Sequence, residues 1–279
     1  MQFIEGFTFG VLLTVTIEFF RRKRNDLSSI QNTRITPANP NGATITLVGA
    51  GPGSPDLLTI AAYNAITSAD VVICDKIVSK ELHGLVKSNS TLIIADKLPG
   101  QADVVQCDLN KWGIDALRNG KHVVRLKAGD PFLYGRGGEE VLFYRENGFE
   151  PIVIPGMSSS IAAAELEGIP VTHRGAANSV LISTGQGRHG EFPALPPFDA
   201  NRTLVLLMAV GRIPTLKQDL VEKEYPVDVP VAVVEKASQP DQRVTRCCLD
   251  SLMEETKRVG VESPAVIIVG NVVNALTML

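Results

Sequence analysis

The stretch Leu47-Val-Gly-Ala-Gly-Pro-Gly-Ser-Pro-Asp-Leu-Leu-Thr59 decides the fold class, because it leads from an apolar run into a turn rich in glycine and proline. The β-branched run Thr44–Val48 predicts a buried strand. Apolar residues at helical spacing follow over Leu57–Ser68. A strand, a tight turn and a helix in this order form the first unit of an α/β domain.

Strands and helices continue to alternate along the chain. Further strands are predicted over 71–74, 91–94, 122–126 and 151–154, with helices over 110–119 and 139–147. After Pro155-Gly156 the pattern starts again, with helices over 158–167, 213–224 and 249–259 and strands over 180–184, 203–208, 231–235 and 265–269. We therefore predict two α/β domains, residues 43–155 and 156–279.

The first 42 residues differ in character from the rest. Residues 1–20 are mostly apolar, the basic cluster Arg21-Arg-Lys-Arg24 follows, and residues 25–42 have the polar composition of a linker. Glu5 and Glu18 interrupt the apolar run, whereas a membrane span needs roughly 20 apolar residues. Two interpretations of residues 1–24 stay open: a membrane anchor that holds the chain on the cytosolic side, or an amphipathic helix or remnant of a longer region.

Composition excludes several classes of protein. Of 279 residues 44% are hydrophobic and 20% charged, and the net charge of −3 provides no general attraction for nucleic acid. The four cysteines form no C-x-x-C and have no zinc-ligand spacing with histidine. We therefore predict reduced thiols in a cytosolic protein and no metal site.

The glycine-rich turn superficially matches the dinucleotide-binding pattern G-x-G-x-x-G. Gly49 and Gly51 fit, but Ser54 stands in the third position. Pro52 and Pro55 also remove amide donors where that pattern uses them to hold pyrophosphate. The turn therefore suits backbone packing against a flat or neutral ligand, and a tight turn without a ligand stays the alternative.

The opening stretch and four later segments together resemble the tetrapyrrole methylases, in order, from about residue 43 to the C-terminus. The later segments are Arg125-Leu-Lys-Ala-Gly-Asp-Pro-Phe-Leu-Tyr-Gly-Arg-Gly-Gly-Glu-Glu140, Val153-Ile-Pro-Gly-Met-Ser-Ser-Ser-Ile-Ala162 with Gly168-Ile-Pro-Val-Thr-His-Arg174, Pro230-Val-Ala-Val-Val-Glu235, and Ser263-Pro-Ala-Val-Ile-Ile-Val-Gly270.

The resemblance implies two α/β domains with S-adenosylmethionine in the cleft between them, in a fold that is not the Rossmann fold. Positions that match the family's cofactor residues are Pro52, Ala128, Gly129, Asp130, Leu133, Ser158, Ser159, Met208 and Ala237. Ala128 and Ala237 replace common glycines, and Ser158-Ser159 replaces a Thr-Ala pair. All four residues are small, so we expect cofactor binding to survive these departures.

Within the family, several features point to enzymes that methylate uroporphyrinogen III to precorrin-2 on the way to sirohaem. They are Asp75, Lys97, the turn Thr172–Arg174 and the segment Gln242–Arg246. The segments 183–188 and 269–275 resemble fungal members, which typically carry a long dehydrogenase-like N-terminal region. Because residues 1–42 stand in its place, no NAD-dependent step is predicted. The family implies a homodimer.

The resemblance also assigns catalytic and substrate-binding residues. Asp75 matches the proton acceptor and Lys97 the proton donor, although Lys97 could equally pair with a substrate carboxylate. Uroporphyrinogen III carries eight carboxylates, and basic side chains near the glycine-rich motifs could pair with them. The expected substrate-binding residues are Arg125, Lys127, Arg136 and Arg174. For each, a solvated surface charge or a structural ion pair is the alternative.

Two other functions stay open at this point. One is a family member that acts on a different precorrin or on a diphthine precursor. The other is a non-catalytic nucleotide-binding module built on the glycine-rich turn, in which the later motifs would have no role.

Overall fold

The computed structural model describes residues 39–95, 102–187 and 192–277, which form two five-stranded sheets with helices on both faces. The predicted α/β class is therefore confirmed. Residues 1–24, for which a membrane anchor was one interpretation, lie outside the described ranges. Within those ranges, no helix combines the length and apolar character that a bilayer crossing needs.

The first sheet is wholly parallel and has the strand order β3-β2-β4-β1-β5. Its strands are β1 (Thr44–Gly49), β2 (Val71–Asp75), β3 (Thr91–Ala95), β4 (His122–Lys127) and β5 (Ile152–Ile154). The helices between them are α1 (Ile60–Ser68), α2 (Lys80–His83), α3 (Ala102–Arg118) and α4 (Gly137–Glu146). A parallel sheet needs such crossovers, and their helices cover both of its faces.

Alternate residues of the central strands supply two separate cores. Leu47 packs with α3 and α4 on one face, and Val48 packs with α1 on the other. Both side chains are fully buried. This two-sided burial explains why β1 reads as a continuous apolar run rather than an alternating one.

The second sheet is mixed and has the order β6-β7-β10-β8-β9, in which β6 and β7 alone run parallel. Its strands are β6 (Ser179–Thr184), β7 (Arg202–Leu207), β8 (Pro230–Glu235), β9 (Arg243–Cys248) and β10 (Ala265–Val269). Its helices are α5 (Ser159–Leu166), α6 (Ile213–Glu222) and α7 (Leu252–Val259). Helices α6 and α7 cover one face, and α5 packs on the other.

Four elements differ from the sequence prediction. Strand β9 and the short helix α2 were not predicted, helix α3 begins eight residues earlier than expected, and the helix predicted over 57–68 is divided. A 3₁₀ turn, Pro55–Leu57, comes first, and α1 then starts after Thr59, whose hydroxyl accepts from the amide of Ala62. This N-cap ends the glycine-rich loop and fixes where the helix begins.

Candidate active site

A cavity of about 1040 Å³ opens between loops of the two sheets. Loops after β1, β2 and β4 form one side, and loops after β6, β7 and β8 form the other. Strands β1 and β4 are neighbours whose connections leave in opposite directions along the sheet. A ligand crevice is expected at such a switch point, outside the carboxyl ends of the strands.

The loops after β1 and β4 touch through their backbones. The amide of Gly51 donates to the carbonyl of Gly129 at 3.2 Å, and the amide of Gly129 donates back at 2.8 Å. A Cβ atom at Gly49 would lie only 2.3 Å from the amide nitrogen of Gly156. The glycines therefore allow loops after β1, β4 and β5 to pack against each other, which differs from the use of glycines around a pyrophosphate.

The carboxylate of Asp130 accepts hydrogen bonds from two of these loops. Its Oδ1 accepts from the amides of Phe132 and Leu133 at 2.9 and 3.2 Å, and its Oδ2 accepts from the amide of Gly156 at 3.3 Å. The side chain is thus occupied by the backbone of the protein itself, although Asp130 lines the cavity. Asp130 therefore shapes the cavity wall through its carboxylate.

Four charged groups lie together at this side of the cavity, Asp75 and Lys127 in its wall and Arg125 and Glu140 behind it. They are here called the charge quartet. The guanidinium of Arg125 donates to Asp75 at 2.9 Å and to Glu140 at 3.1 Å, and Lys127 Nζ lies 2.9 Å from the same Glu140 oxygen. Gln106 donates to that oxygen at 2.8 Å. Two cations and two carboxylates compensate each other, as buried charges must.

The protonation of the two cations in the charge quartet follows from this arrangement. Burial alone would lower the pKa of Arg125, but the charges of Glu140 and Asp75 outweigh it and raise that pKa. Burial and the charge of Arg125 lower the pKa of Lys127, and Glu140 offsets this only in part. Asp75 lines the cavity, and the guanidinium of Arg125 lies 2.9 Å from its carboxylate.

The structure contradicts the predicted pairing of Arg125 with substrate. Arg125 is 1% exposed and does not line the cavity. Its donors are used by Asp75, Glu140 and the carbonyls of Ile73 and Leu126. The side chain therefore positions Asp75 and is inaccessible to a substrate carboxylate.

The other three predicted substrate residues occupy different surroundings. Lys127 reaches the cavity wall but is 3% exposed and paired with Glu140. Arg136 lines the cavity and pairs with Asp103 at 3.0 Å and with Glu139 at 2.6 Å. Arg174 is exposed and is not among the residues that line this cavity. Of the two that line the cavity, Arg136 is the one that a large anion could reach without entering the buried quartet.

All nine predicted cofactor positions line the one cavity. Ser158 also caps α5 by accepting from the amide of Ser160 at 3.2 Å. Met208 has a left-handed backbone, with φ 54°, and leaves 48% of its side chain exposed at the cavity. Their clustering makes a shared ligand geometrically feasible. Lys97, the predicted proton donor, lies outside the described residues.

Hydrogen bonds to Ser238 and Gln242 hold the turn that carries Ala237 in place. Ser238 Oγ accepts from the amide of Ser54 in the glycine-rich loop at 2.8 Å. The side-chain oxygen of Gln242 accepts from the amide of Ser238, and its nitrogen donates to Glu167 at 2.6 Å. Gln242, noted in the sequence as a family feature, therefore connects the cavity turn to α5.

Gln106 and Arg212 are among the polar cavity residues that were not predicted from the sequence. Gln106 lies in the part of α3 that was not predicted to be helical. Arg212 directly precedes Ile213-Pro214 at the start of α6. A proline in the first turn is a helix-start signal, and it could have drawn attention to the residue before it.

The chain belongs to the tetrapyrrole (corrin/porphyrin) methylases, whose family model matches residues 44–253. A protein of Schizosaccharomyces pombe named probable uroporphyrinogen-III C-methyltransferase is 45% identical over 240 residues, which are 86% of this chain and 48% of that protein. A protein of Methanocaldococcus jannaschii named uroporphyrinogen-III C-methyltransferase is 39% identical over 236 residues, which are 83% of this chain and 97% of that protein.

Among solved structures, the uroporphyrin-III C-methyl transferase of Thermus thermophilus complexed with S-adenyl homocysteine has a TM-score of 0.72 and 36% identity. The match covers 82% of this chain and 93% of that one. The predicted tetrapyrrole methylase fold is thus confirmed. The chain spans about half the length of its fungal relative.

Proposed function

We propose that this chain transfers methyl groups from S-adenosylmethionine to two pyrrole carbons of uroporphyrinogen III, giving precorrin-2 for sirohaem synthesis. The observation that carries the proposal is the Asp75 carboxylate, which stands at the cavity wall with Arg125 fixed 2.9 Å behind it. The names of the similar proteins support the same substrate and the same cofactor.

The cavity residues fit S-adenosylmethionine. Ala128, Ser158, Ser159 and Ala237 have small side chains, so the backbone beside them is accessible to a ligand. The volume of about 1040 Å³ stands at the upper end of the range for small-molecule sites, roughly 300–1,000 Å³, and leaves space for part of a second, larger molecule. When bound, S-adenosylmethionine supplies an electrophilic methyl group.

The residues of the chain have two tasks in this reaction. The first is to hold a nucleophilic pyrrole carbon against the methyl donor, since orientation alone can remove much of the barrier. The second is to remove a proton from the cationic ring that methylation leaves, since the methylated carbon itself then carries no hydrogen. Asp75 can accept this proton as a carboxylate, and Arg125 holds that carboxylate in position.

Substrate orientation needs cations that can be reached from the cavity. Arg136 is half-buried at the wall, and its partners Asp103 and Glu139 are solvent-exposed. Exposed ion pairs contribute little free energy, so a substrate carboxylate can replace one of them at small cost. We include Arg136 as a substrate residue. Lys127 and Arg174 stay predictions, and Lys127 would first have to leave Glu140.

The function is tested with the full chain, S-adenosylmethionine and enzymatically generated uroporphyrinogen III, without oxygen. We expect the product mass to rise by two methyl groups. Asp75→Asn should lower kcat by about 100-fold or more, as expected for loss of a general base, without weakening S-adenosylhomocysteine binding. Asp115→Asn, the same change at an exposed position of α3, should leave kcat unchanged.

Two outcomes would contradict different parts of the proposal, one the role of Asp75 and the other the identity of the substrate. Wild-type kcat in Asp75→Asn would remove Asp75 from the reaction. No methyl gain by the wild-type chain, with S-adenosylhomocysteine still bound, would retain the cofactor site and reject uroporphyrinogen III as the substrate.

We also propose a homodimer, which the family resemblance implies. It is supported by α5, on which Ile161 and Leu166 are 42% and 44% exposed. Light scattering of the purified chain should give twice the monomer mass. Membrane contact through residues 1–24 stays a prediction, which carbonate extraction of cell membranes that contain the full chain would test.

A further inference from the structure

Arg212 stands on the cavity wall contributed by the second sheet, directly before helix α6. It is half-buried, and its place on this wall separates it from the charge quartet and Arg136, which the first sheet and its loops supply. The proposed methyl transfer assigns no role to Arg212.

The backbone of Arg212 is firmly held. Its amide donates to the carbonyl of Ala209 at 2.9 Å, and its carbonyl accepts from the hydroxyl of Thr215 at 3.1 Å. The next residues of α6 anchor the helix, since Ile213 and Leu216 are 5% and 0% exposed. The origin of the Arg212 side chain is therefore fixed relative to the cavity.

The guanidinium of Arg212, in contrast, has no hydrogen-bond or ion-pair partner among the residues that the structure describes. Lys127 and Arg136, which line the same cavity, are both paired with carboxylates. A half-buried cation without a partner is costly unless something neutralises it. Its five donors and permanent charge are suited to a carboxylate.

The surroundings leave room for such an anion. A Cβ atom built on the neighbouring Gly211 would meet nothing within 4 Å. At the start of α6 the amide of Ile213 donates to the carbonyl of Val210, and Pro214 has no amide. A carboxylate beside Arg212 would therefore be held by the guanidinium, on a rigid element.

We propose that Arg212 is a carboxylate-binding residue of this cavity. The proposal rests on the proposed function, which offers two sources of carboxylate: the acetate and propionate side chains of the tetrapyrrole, and the amino-acid end of S-adenosylmethionine. Both would place a negative charge against the wall that the second sheet provides.

The experiment compares the full-length wild type with Arg212→Ala and Arg212→Lys. Arg258→Ala is the matched control, because Arg258 lies on the exposed side of α7 and pairs with Glu255. Two dissociation constants are measured, one for uroporphyrin III by fluorescence and one for S-adenosylhomocysteine by calorimetry. Neither needs turnover, so an inactive wild type would reject the proposed function without affecting this test.

We expect Arg212→Ala to weaken one of the two ligands by about tenfold or more, the usual loss for a hydrogen bond to a charged group. Arg212→Lys should recover part of it, since it keeps the charge and loses the planar fork. Raising the salt concentration should narrow the difference between wild type and Arg212→Ala. If Arg212 had only a structural role, neither the partial recovery in Arg212→Lys nor the salt dependence would be observed.

The two ligands distinguish the sources. If Arg212→Ala weakens uroporphyrin III binding and leaves S-adenosylhomocysteine binding unchanged, Arg212 binds a carboxylate of the tetrapyrrole. The opposite result would show that Arg212 binds the carboxylate of the cofactor. Unchanged binding of both ligands in a folded Arg212→Ala protein, or an equal loss in Arg258→Ala, would overturn the proposal.

Discussion

Glu140 opens helix α4, and at that position a carboxylate would ordinarily interact with the helix N-terminus from solvent. Its side chain is instead 1% exposed and receives donors from Arg125, Lys127 and Gln106 on one oxygen. Helix α4 therefore supplies the central anion of the charge quartet. Its role depends on partners in β4 and α3 that no local pattern around residue 140 reveals.

Replacing Glu140 by Gln keeps the shape of the side chain and removes the charge. Arg125 and Lys127 would then share the single anion Asp75, and we expect the free energy of unfolding to fall by about 3 kcal/mol or more, as for other broken buried pairs. Urea denaturation measures this. Glu146→Gln, the same change at the exposed end of α4, should stay within about 0.5 kcal/mol of wild type. If Glu140→Gln is as stable as Glu146→Gln, the charges of the quartet do not stabilise one another.

The sequence indicated which residues come together where a motif fixed the backbone, and did not do so where charges meet across elements. The nine predicted cofactor positions line one cavity because they lie in or next to loops whose glycines and prolines leave few conformations. Arg125 was expected to bind substrate because it lies in a glycine-rich motif, whereas the structure shows the alternative, a structural ion pair. Its burial depends on Asp75 and Glu140, which lie 50 and 15 residues away along the chain.

At the scale of elements, the loops after β1 and β5 depend on the absence of a single side chain. We expect Gly49→Ala to lower the free energy of unfolding by more than about 3 kcal/mol, because its Cβ would lie 2.3 Å from the backbone of Gly156 and neither loop can move freely. Denaturant titration with circular dichroism measures the loss.

Gly138→Ala in α4 is the matched control for this change. A Cβ there would meet nothing within 4 Å, so the variant should be neutral or up to about 1 kcal/mol more stable than wild type. A Gly49→Ala protein as stable as Gly138→Ala would mean that the three loops are not packed as described.

The elements that the sequence analysis missed are those without an apolar stripe. Strand β9 has the sequence Arg-Val-Thr-Arg-Cys-Cys and forms one edge of the second sheet, so charged residues are tolerated along it. Strand β8 holds it in place through Glu235, whose carboxylate pairs with Arg243. Pairing with a neighbouring strand, rather than the composition of the segment itself, makes β9 a strand.

At the scale of the whole molecule, the two sheets meet around the cavity through bonds that join loops. The hydroxyl of Tyr134 donates to the carbonyl of Ile182 at 3.0 Å, and the amide of Ser54 donates to Ser238 at 2.8 Å. Both bonds lie beside residues of the cavity lining. A ligand that fills the cavity would therefore add contacts between the two sheets.

We expect S-adenosylhomocysteine to stabilise both sheets together. At a concentration of about 100 times its Kd, it should add about 2.7 kcal/mol to the free energy of unfolding and raise Tm in one cooperative transition. Calorimetry with and without the ligand tests this. Two transitions, with only one displaced by the ligand, would place the binding site within a single sheet and its loops.

Strand order was beyond the sequence prediction at this scale. Alternating strands and helices indicate parallel pairing, but the order β3-β2-β4-β1-β5 and the antiparallel strands of the second sheet depend on contacts between distant segments. The position of the cavity follows from that order, since β1 and β4 must be adjacent for Gly51 and Gly129 to bridge. The motifs therefore indicated which residues meet, and the topology explains why they do.

The charge quartet also has a consequence for how this chain can evolve. A mutation that removes one of its four members leaves a buried charge uncompensated. A single substitution in the quartet therefore gives an unstable protein. Two compensating changes, such as the loss of one cation and one carboxylate, avoid that barrier. Descendants should therefore keep these four positions together or exchange them in pairs, whereas the surface around them changes one residue at a time.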